Sequence, residues 1–284
     1  MTLIPMPQVA LVTGASSGFG LLAAVSLARR GLRVVASMRD LSRRGELDQA
    51  AAAAGVSLQV VALDVTRPDT FAEALAQVGP VDVLVNNAGI GIVGAVENIS
   101  MEEVRQTFET NFFGAVALIK AVLPGMRERR AGRIVNVSSI AARIASPGTP
   151  AYIASKYALE GLSDALRYEV HPFGIAVSII EPGTFPTAMT KAPWMAARSG
   201  GAYEAIERAV ESMLKASHTQ KASDPQQVAD AIVHAATARS PRRRYVVGSD
   251  ARFALVVRSL LPTGAFEALI RSMIKPRNPP NQIT

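Results

Sequence analysis

Short apolar runs rich in valine and isoleucine recur along the chain at Val9–Val12, Val34–Ala36, Leu58–Leu63, Val81–Val85, Ile134–Val137, Ala176–Ile180 and Tyr245–Val247. Near-continuous runs of this length suit strands buried on both faces, with no solvated side to interrupt them. Between them apolar positions recur with helical period over Phe19–Arg30, Leu41–Ala54, Asp69–Gln77, Met101–Arg130, Pro150–Val170 and Pro225–Thr237. Pro124 predicts a kink in the longest of these. The alternation predicts an α/β fold, a doubly wound parallel sheet of about seven strands with helices on both faces. No internal repeat or linker-like stretch divides the sequence, so residues 1–284 read as one domain. Two stretches break the rhythm. Thr184–Ser223, interrupted by Pro186, Pro193 and Gly200–Gly201, is expected to form a lid. After Gly248, Phe253, Leu255, Val256, Leu260 and Leu261, then Phe266, Leu269, Ile270 and Ile274, suggest two amphipathic helices around Pro262. These make a C-terminal extension of about 249–284.

Composition narrows the chemistry. With 284 residues, 49% hydrophobic and 19% charged, the chain is built to fold. Cysteine is absent, which excludes disulfides, a thiolate nucleophile and a Cys-based zinc site. The three histidines have no metal-ligand spacing, so no metal is expected. A reducing cytoplasm suits such a composition. Thirty Lys+Arg against 23 Asp+Glu give a net charge of +7, yet aromatics are only 5% and none interleave the arginine clusters at Arg127, Arg129, Arg130, Arg133 and Arg242–Arg244. No nucleic-acid partner is expected from that pattern. Met1–Ala28 carries no charged side chain, but Arg29 and Arg30 follow the apolar stretch instead of preceding it, and Gly14, Gly18 and Gly20 interrupt it. It therefore reads as neither a signal peptide nor a transmembrane segment, and peripheral membrane contact is not expected.

The loop Thr13-Gly14-Ala15-Ser16-Ser17-Gly18-Phe19-Gly20 joins the first strand directly to a helix. Such a turn aims free backbone N–H groups and the positive helix end at an anion, and small residues at Gly14, Gly18 and Gly20 let a pyrophosphate approach the backbone. The second strand ends in Ser37-Met38-Arg39-Asp40. A carboxylate at the strand end would bind ribose hydroxyls and repel a 2′-phosphate; Met38 and Arg39 point to the phosphate instead.

Tyr152 and Lys156 are four residues apart on an expected helix, so both reach one site. Ser139 lies thirteen residues before Tyr152, at the end of a buried strand where a sheet delivers side chains to a ligand crevice, with Ser138 as its supporting neighbour. Reducing a carbonyl by hydride leaves charge on oxygen, so a proton donor is needed, and a phenol of pKa ~10 must be lowered to serve. Thr149-Pro150 reads as an N-cap and first helical position, placing Tyr152 near the positive helix end. That dipole is worth only ~0.3–1 kcal/mol, under one pK unit. The Lys156 ammonium and a positive nicotinamide must supply the rest.

In spacing and order these motifs resemble the compact type of the short-chain dehydrogenase/reductase family, over about Val9 to Val247. The resemblance implies a Rossmann-type fold. It places Gly14, Ser16, Ser17, Gly18, Phe19 and Gly20 around the pyrophosphate, Asp64 and Val65 at the adenine ring, and Asn87, Ala88 and Gly89 beside the adenosine ribose. Asn111, in Thr110-Asn111-Phe112-Phe113-Gly114, matches a fourth catalytic position. By resemblance Tyr152 exchanges the proton, Lys156 lowers its pKa and holds the nicotinamide ribose, Ser139 orients the substrate oxygen and Asn111 positions a water in a relay. Pro182, Gly183 and Thr187 match the turn that contacts the nicotinamide amide. NADP(H) is the preferred cofactor, with NAD(H) possible, since Ser17 stands where NADP-specific relatives often carry a second basic residue. Met189, Trp194, Met195 and Met213, with Ile90, Ile92 and Val93, suggest an apolar pocket. Ser37–Asp40 and Tyr152–Gly161 lean towards the hydroxysteroid and retinol branch, which implies a small lipophilic alcohol or ketone such as a steroid or retinoid. The alternatives are a 3-oxoacyl thioester reductase and a cofactor-binding regulator without turnover. A homodimer or homotetramer is expected, paired through Met101–Arg130 and Pro150–Val170.

Overall fold

The chain is described here by a computed structural model covering residues 8–191, 193–218 and 223–274. Its strands are β1 (Val9–Thr13), β2 (Arg33–Met38), β3 (Gln59–Ala62), β4 (Val83–Asn86), β5 (Ile92–Val93), β6 (Gly132–Val137), β7 (Ile175–Pro182), β8 (Trp194–Met195) and β9 (Arg244–Val247). Seven of them form one parallel sheet in the order β3-β2-β1-β4-β6-β7-β9, while β5 and β8 pair apart as a short ribbon. Helices α1 (Gly18–Arg29), α2 (Gly45–Ala53), α3 (Phe71–Val78), α4 (Met101–Phe108), α5 (Gly114–Glu128) and α6 (Pro150–Val170) carry the crossovers. They are followed by α7 (Ala188–Lys191), α8 (Glu204–Ala216), α9 (Gln226–Thr237), α10 (Ser249–Leu260) and α11 (Thr263–Ile274). This is the Rossmann-type doubly wound sheet that the alternation predicts.

Alternate residues of each strand feed opposite cores, as the two-residue period requires. Ala10 and Val12 pack with Ala24, Leu27, Ile180 and Ile232 on one face. Val9 and Leu11 pack with Leu84, Leu118, Ile134 and Val177 on the other. The strand order reverses between β1 and β4, so the loops that leave these two strands diverge and open a crevice at their carboxyl ends.

Several boundaries differ from the sequence reading. The expected helix Met101–Arg130 is broken at a π-helical turn, Glu109–Phe113, between α4 and α5, and Pro124 lies inside α5 instead of marking the break. The extra residue per turn swings Asn111 into the interior. Leu41–Ala54 begins as a 3₁₀ turn, Leu41–Arg44, capped by Asp40. Thr149 makes no side-chain cap to α6, although Pro150 does occupy the first turn. The expected lid contains α7, β8 and α8 among the described residues, with residues 192 and 219–222 outside them. In the tail both expected helices form, but Phe253, Val256 and Leu260 face solvent; residues 275–284 of the expected extension lie outside the described residues. No described helix is long and apolar enough to cross a membrane.

Candidate active site

At the crevice the β1 loop and the β4 loop lock together. Thr13 Oγ1 accepts from the backbone N–H of Asn87 and of Ala88, both at 3.0 Å, and Asn87 Nδ2 donates to the carbonyls of Thr13 (2.9 Å) and Gly14 (3.2 Å). Space for this exists only because residues 14 and 20 lack a Cβ. One on Gly14 would stand 2.8 Å from Ala88 Cα, and Gly14 also has φ +66°. Ser17, at the N-cap of α1, makes no side-chain cap, and the first turn carries no acid. Uncapped N–H groups and the helix dipole therefore face the cleft, which suits an anion.

The cleft has a volume of about 400 Å³ and runs from Arg39 past the glycine loop to Tyr152. Of the residues singled out in the sequence, Gly14, Ser16, Ser17, Gly18, Phe19, Arg39, Asp64, Val65, Asn87, Ala88, Gly89, Tyr152, Lys156 and Thr187 line it. Gly20, Asn111, Ser139, Pro182 and Gly183 are not among its lining residues. Gly183 is seated under Asp250 at the start of α10, whose Oδ2 accepts from Thr184 N at 2.7 Å. Phe185 is buried edge-on against Phe19, with ring centroids 5.7 Å apart, which fastens the turn after β7 to the glycine loop. Arg43 also lines the cleft and was not singled out; the Arg39-x-x-x-Arg43 spacing is the signal that could have found it. Asp40 spends its carboxylate on Ser42 N (2.9 Å) and Ser42 Oγ (2.7 Å).

At the other end β6 and α6 bring the acid–base candidates together. Lys156 is buried and donates from Nζ to Val137 O at 2.8 Å, with Nζ 5.8 Å from the centroid of the Tyr152 ring. Burial lowers its pKa to about 8, against the opposing pull of the Glu160 charge. Burial pushes the Tyr152 phenol up, and a hydrogen bond with Ser139 works against that rise. The protein alone therefore does not lower the phenol as the sequence reading requires. Ser139 caps a 3₁₀ turn, its Oγ accepting from Ala141 N at 3.1 Å, so its hydroxyl proton is the one available for the bond with Tyr152. Asn111 accepts from Ile90 N (2.8 Å) and donates to Ile90 O and Ser155 Oγ (both 2.9 Å), and Ser155 Oγ in turn donates to Tyr152 O (2.7 Å). Gly89 lies between them, where a Cβ would come 3.3 Å from Asn111 Oδ1 and 3.6 Å from Lys156 Nζ.

The wall nearest Tyr152 is apolar. Ile90, Gly91, Met189 and Trp194 line it; Ile92 and Val93 are instead buried in the β5–β8 ribbon, Met195 is half-buried and Met213 is exposed. No group of three or more metal-ligating side chains occurs among the described residues. An uncapped helix start, a glycine cradle and two arginines at the far end fit a phosphate-bearing dinucleotide.

Residues 8–197 match the short chain dehydrogenase family. The uncharacterized oxidoreductase YusZ of Bacillus subtilis is 39% identical over 281 residues, 94% of this chain and 98% of that one. Retinol dehydrogenase 8 of Bos taurus is 46% identical over 187 residues, covering 64% of this chain and 60% of that protein. Among solved structures, a short-chain dehydrogenase from Streptomyces avermitilis superposes with a TM-score of 0.78 at 36% identity, over 95% of this chain and 99% of the other. The chain belongs to the short-chain dehydrogenase/reductase family of NAD(P)-dependent oxidoreductases acting on alcohols and ketones.

Proposed function

We propose that the chain interconverts a lipophilic alcohol and its ketone or aldehyde, a steroid or retinoid in class, preferring NADP(H) to NAD(H), with Tyr152 exchanging the proton. The observation that carries this reading is the linkage at the inner end of the cleft of Tyr152 to Lys156 and Ser139, with Lys156 and Asn111 meeting at Gly89. A nicotinamide dinucleotide, when bound, supplies or accepts the hydride. In the reducing direction Tyr152 Oη gives its proton to the carbonyl oxygen as charge grows there. The hydroxyl proton of Ser139, turned from Tyr152, donates to the same oxygen. Lys156, anchored on Val137 O, stabilises the phenolate that results. Asn111 spends its side chain on Ile90 and Ser155, so it fixes the turn along which a relay water returns the proton to Tyr152.

Cofactor preference rests on Arg39 and Arg43 at the far end of the cleft, where no acid replaces Met38. The substrate class rests on the apolar wall of Ile90, Met189 and Trp194 and on the likeness to a retinol dehydrogenase. Met101, Phe113, Tyr157 and Tyr168, exposed on α4, the π turn and α6, support pairing of two copies through those helices. The test is a panel of steroid, retinoid, aliphatic and thioester ketones with NADPH and with NADH, followed by nicotinamide absorbance. Turnover of bulky apolar ketones with NADPH is expected; turnover confined to thioesters, or none with any member of the panel, would refute the reading.

A further inference from the structure

Behind the proposed site lies a buried ionic cluster that the reaction, as described, leaves unused. Glu160, on α6 one turn after Lys156, is 4% exposed. Its Oε1 accepts from Ser138 Oγ at 2.8 Å, and its Oε2 is paired with the Arg244 guanidinium from β9. Arg244 also holds Asp164 on α6 at 2.6 Å and pairs with Glu181 on β7, which is wholly buried. Arg143, at the end of the 3₁₀ turn after Ser139, reaches the same Glu181 oxygen at 3.3 Å. Three carboxylates thus meet three arginines, since Arg167 also pairs with Asp164 at 2.5 Å, and burial pushes the Glu160 pKa up against the Arg244 hydrogen bond.

What makes the placement informative is the residue that Glu160 grips. Ser138 sits between Val137, whose carbonyl anchors Lys156, and Ser139. Its own N–H is fixed on Ile180 O at 2.8 Å. One carboxylate therefore braces the strand end that carries both candidates, and stands at the i,i+4 position to the buried ammonium. The charged and titratable groups around this pair are Arg244, Glu181, Asp164, Arg143 and, through Asp164, Arg167 on the Glu160 side and Tyr152 on the Lys156 side.

We propose that Glu160 is a positioning residue for the reaction: it clamps residues 137–139 through Ser138 and keeps the positive charge on Lys156 by standing one helical turn away. The proposal rests on the roles given above to Tyr152 and Lys156. A buried cation without a nearby anion sheds its proton early. Without the Glu160 charge, Lys156 would turn neutral within the working pH range and the phenolate of Tyr152 would lose its partner.

A lysine titration tests the coupling without any turnover. The chain has six lysines, and in protein labelled with ¹³C at lysine Cε the Lys156 resonance is the one lost in Lys156→Met. Glu160→Gln keeps an oxygen for Ser138 and removes the charge. Its Lys156 midpoint is expected to fall about one unit below that of the wild type, the low end of the effect of a neighbouring opposite charge. An unchanged midpoint overturns the proposal. If Glu160→Gln does not fold, the same coupling is read from the other side: in Lys156→Met, the Glu160 carboxyl, followed by ¹³C at Cδ, should titrate at higher pH, and an unmoved carboxyl overturns the proposal equally. The kinetic arm follows the active ketone of the panel. For a midpoint falling from about 8 to about 7, kcat/KM of Glu160→Gln should match the wild type at pH 6 and drop about fivefold at pH 8. A loss equal at every pH means bracing alone and overturns the electrostatic part. If the midpoint moves but no ketone is turned over by the wild type, the coupling stands and the proposed function fails.

Discussion

The side-chain amide of Asn87 fills the space that a Cβ on Gly20 would need, and the Gly14 carbonyl that accepts from it lies against the same spot. The glycine loop is therefore shaped by a second loop as well as by its ligand. Gly20→Ala must push Asn87 off Thr13 and Gly14, an overpacking that costs about 1–3 kcal/mol. A Tm lower by several degrees is expected, with NADPH affinity weakened at least about tenfold because the cradle moves. Calorimetric titration and a thermal melt check both, and a variant with unaltered Tm would mean that the Asn87 contact is dispensable.

Cofactor choice gives a second expectation. Arg39→Asp should raise the Kd for NADPH and bring NADH level with it or ahead, since a carboxylate there repels a 2′-phosphate. Arg43→Ala should weaken NADPH by about tenfold, the value of a charge-assisted hydrogen bond at an exposed site, and leave NADH unmoved. Fluorescence titration of both cofactors into the wild type and the two variants reads the six constants. NADH weakened as much as NADPH by Arg43→Ala would take Arg43 out of phosphate recognition.

Tyr152→Phe removes one oxygen and keeps the ring against Lys156. Folding and cofactor affinity should survive, while turnover of a good ketone falls by about 10²-fold or more, as for loss of a general acid. Near-normal turnover would assign the proton elsewhere.

Much of this arrangement was legible in the sequence because periodicity and spacing write it locally. Buried strands announce themselves as apolar runs, and Tyr152 with Lys156 needs only the helical repeat. What was hidden depends on side chains meeting across the fold. The break at Asn111 is one case: nothing in Met101–Arg130 marks a π turn, which exists so that Asn111 can reach Ile90 and Ser155. The expected lid is another. Glu207 on α8, buried, accepts from Ala95 N, Asn98 Nδ2, Ser199 Oγ and Gly200 N at 2.7–3.0 Å, and Glu103 on α4 accepts from Ala197 N at 2.9 Å. Two carboxylates far apart in sequence thus pin residues 196–207 to the body, and neither looks special in its own segment. The Glu160–Arg244 pair, 84 residues apart, was invisible for the same reason.

Lys156 should leave a signature in stability as well as in rate. Its ammonium is taken out of water by burial, and its proton is held only to about pH 8 in the folded chain against 10.5 when free. Below pH 8 both states carry the proton and the full cost of burying the charge is present. Between pH 8 and 10.5 the unfolded chain binds more protons than the folded one, so stability rises with pH across that window. Lys156→Met has no proton to lose there, and its matched apolar volume removes the charge penalty at the cost of an unpaired Val137 carbonyl, about 1–3 kcal/mol. Those two effects oppose each other at pH 7, where the variant should be inactive yet close to wild type in Tm. The trend separates them: the stability of the wild type relative to Lys156→Met should climb by roughly 2 kcal/mol from pH 7.5 to 9.5, following 1.36 kcal/mol per unit. Urea unfolding of both proteins at pH 7.5, 8.5 and 9.5 measures it, the lysines and tyrosines away from the site cancelling in the difference. A flat difference would mean that Lys156 keeps its proton well above pH 8, and that the field of Glu160 and its neighbours outweighs burial.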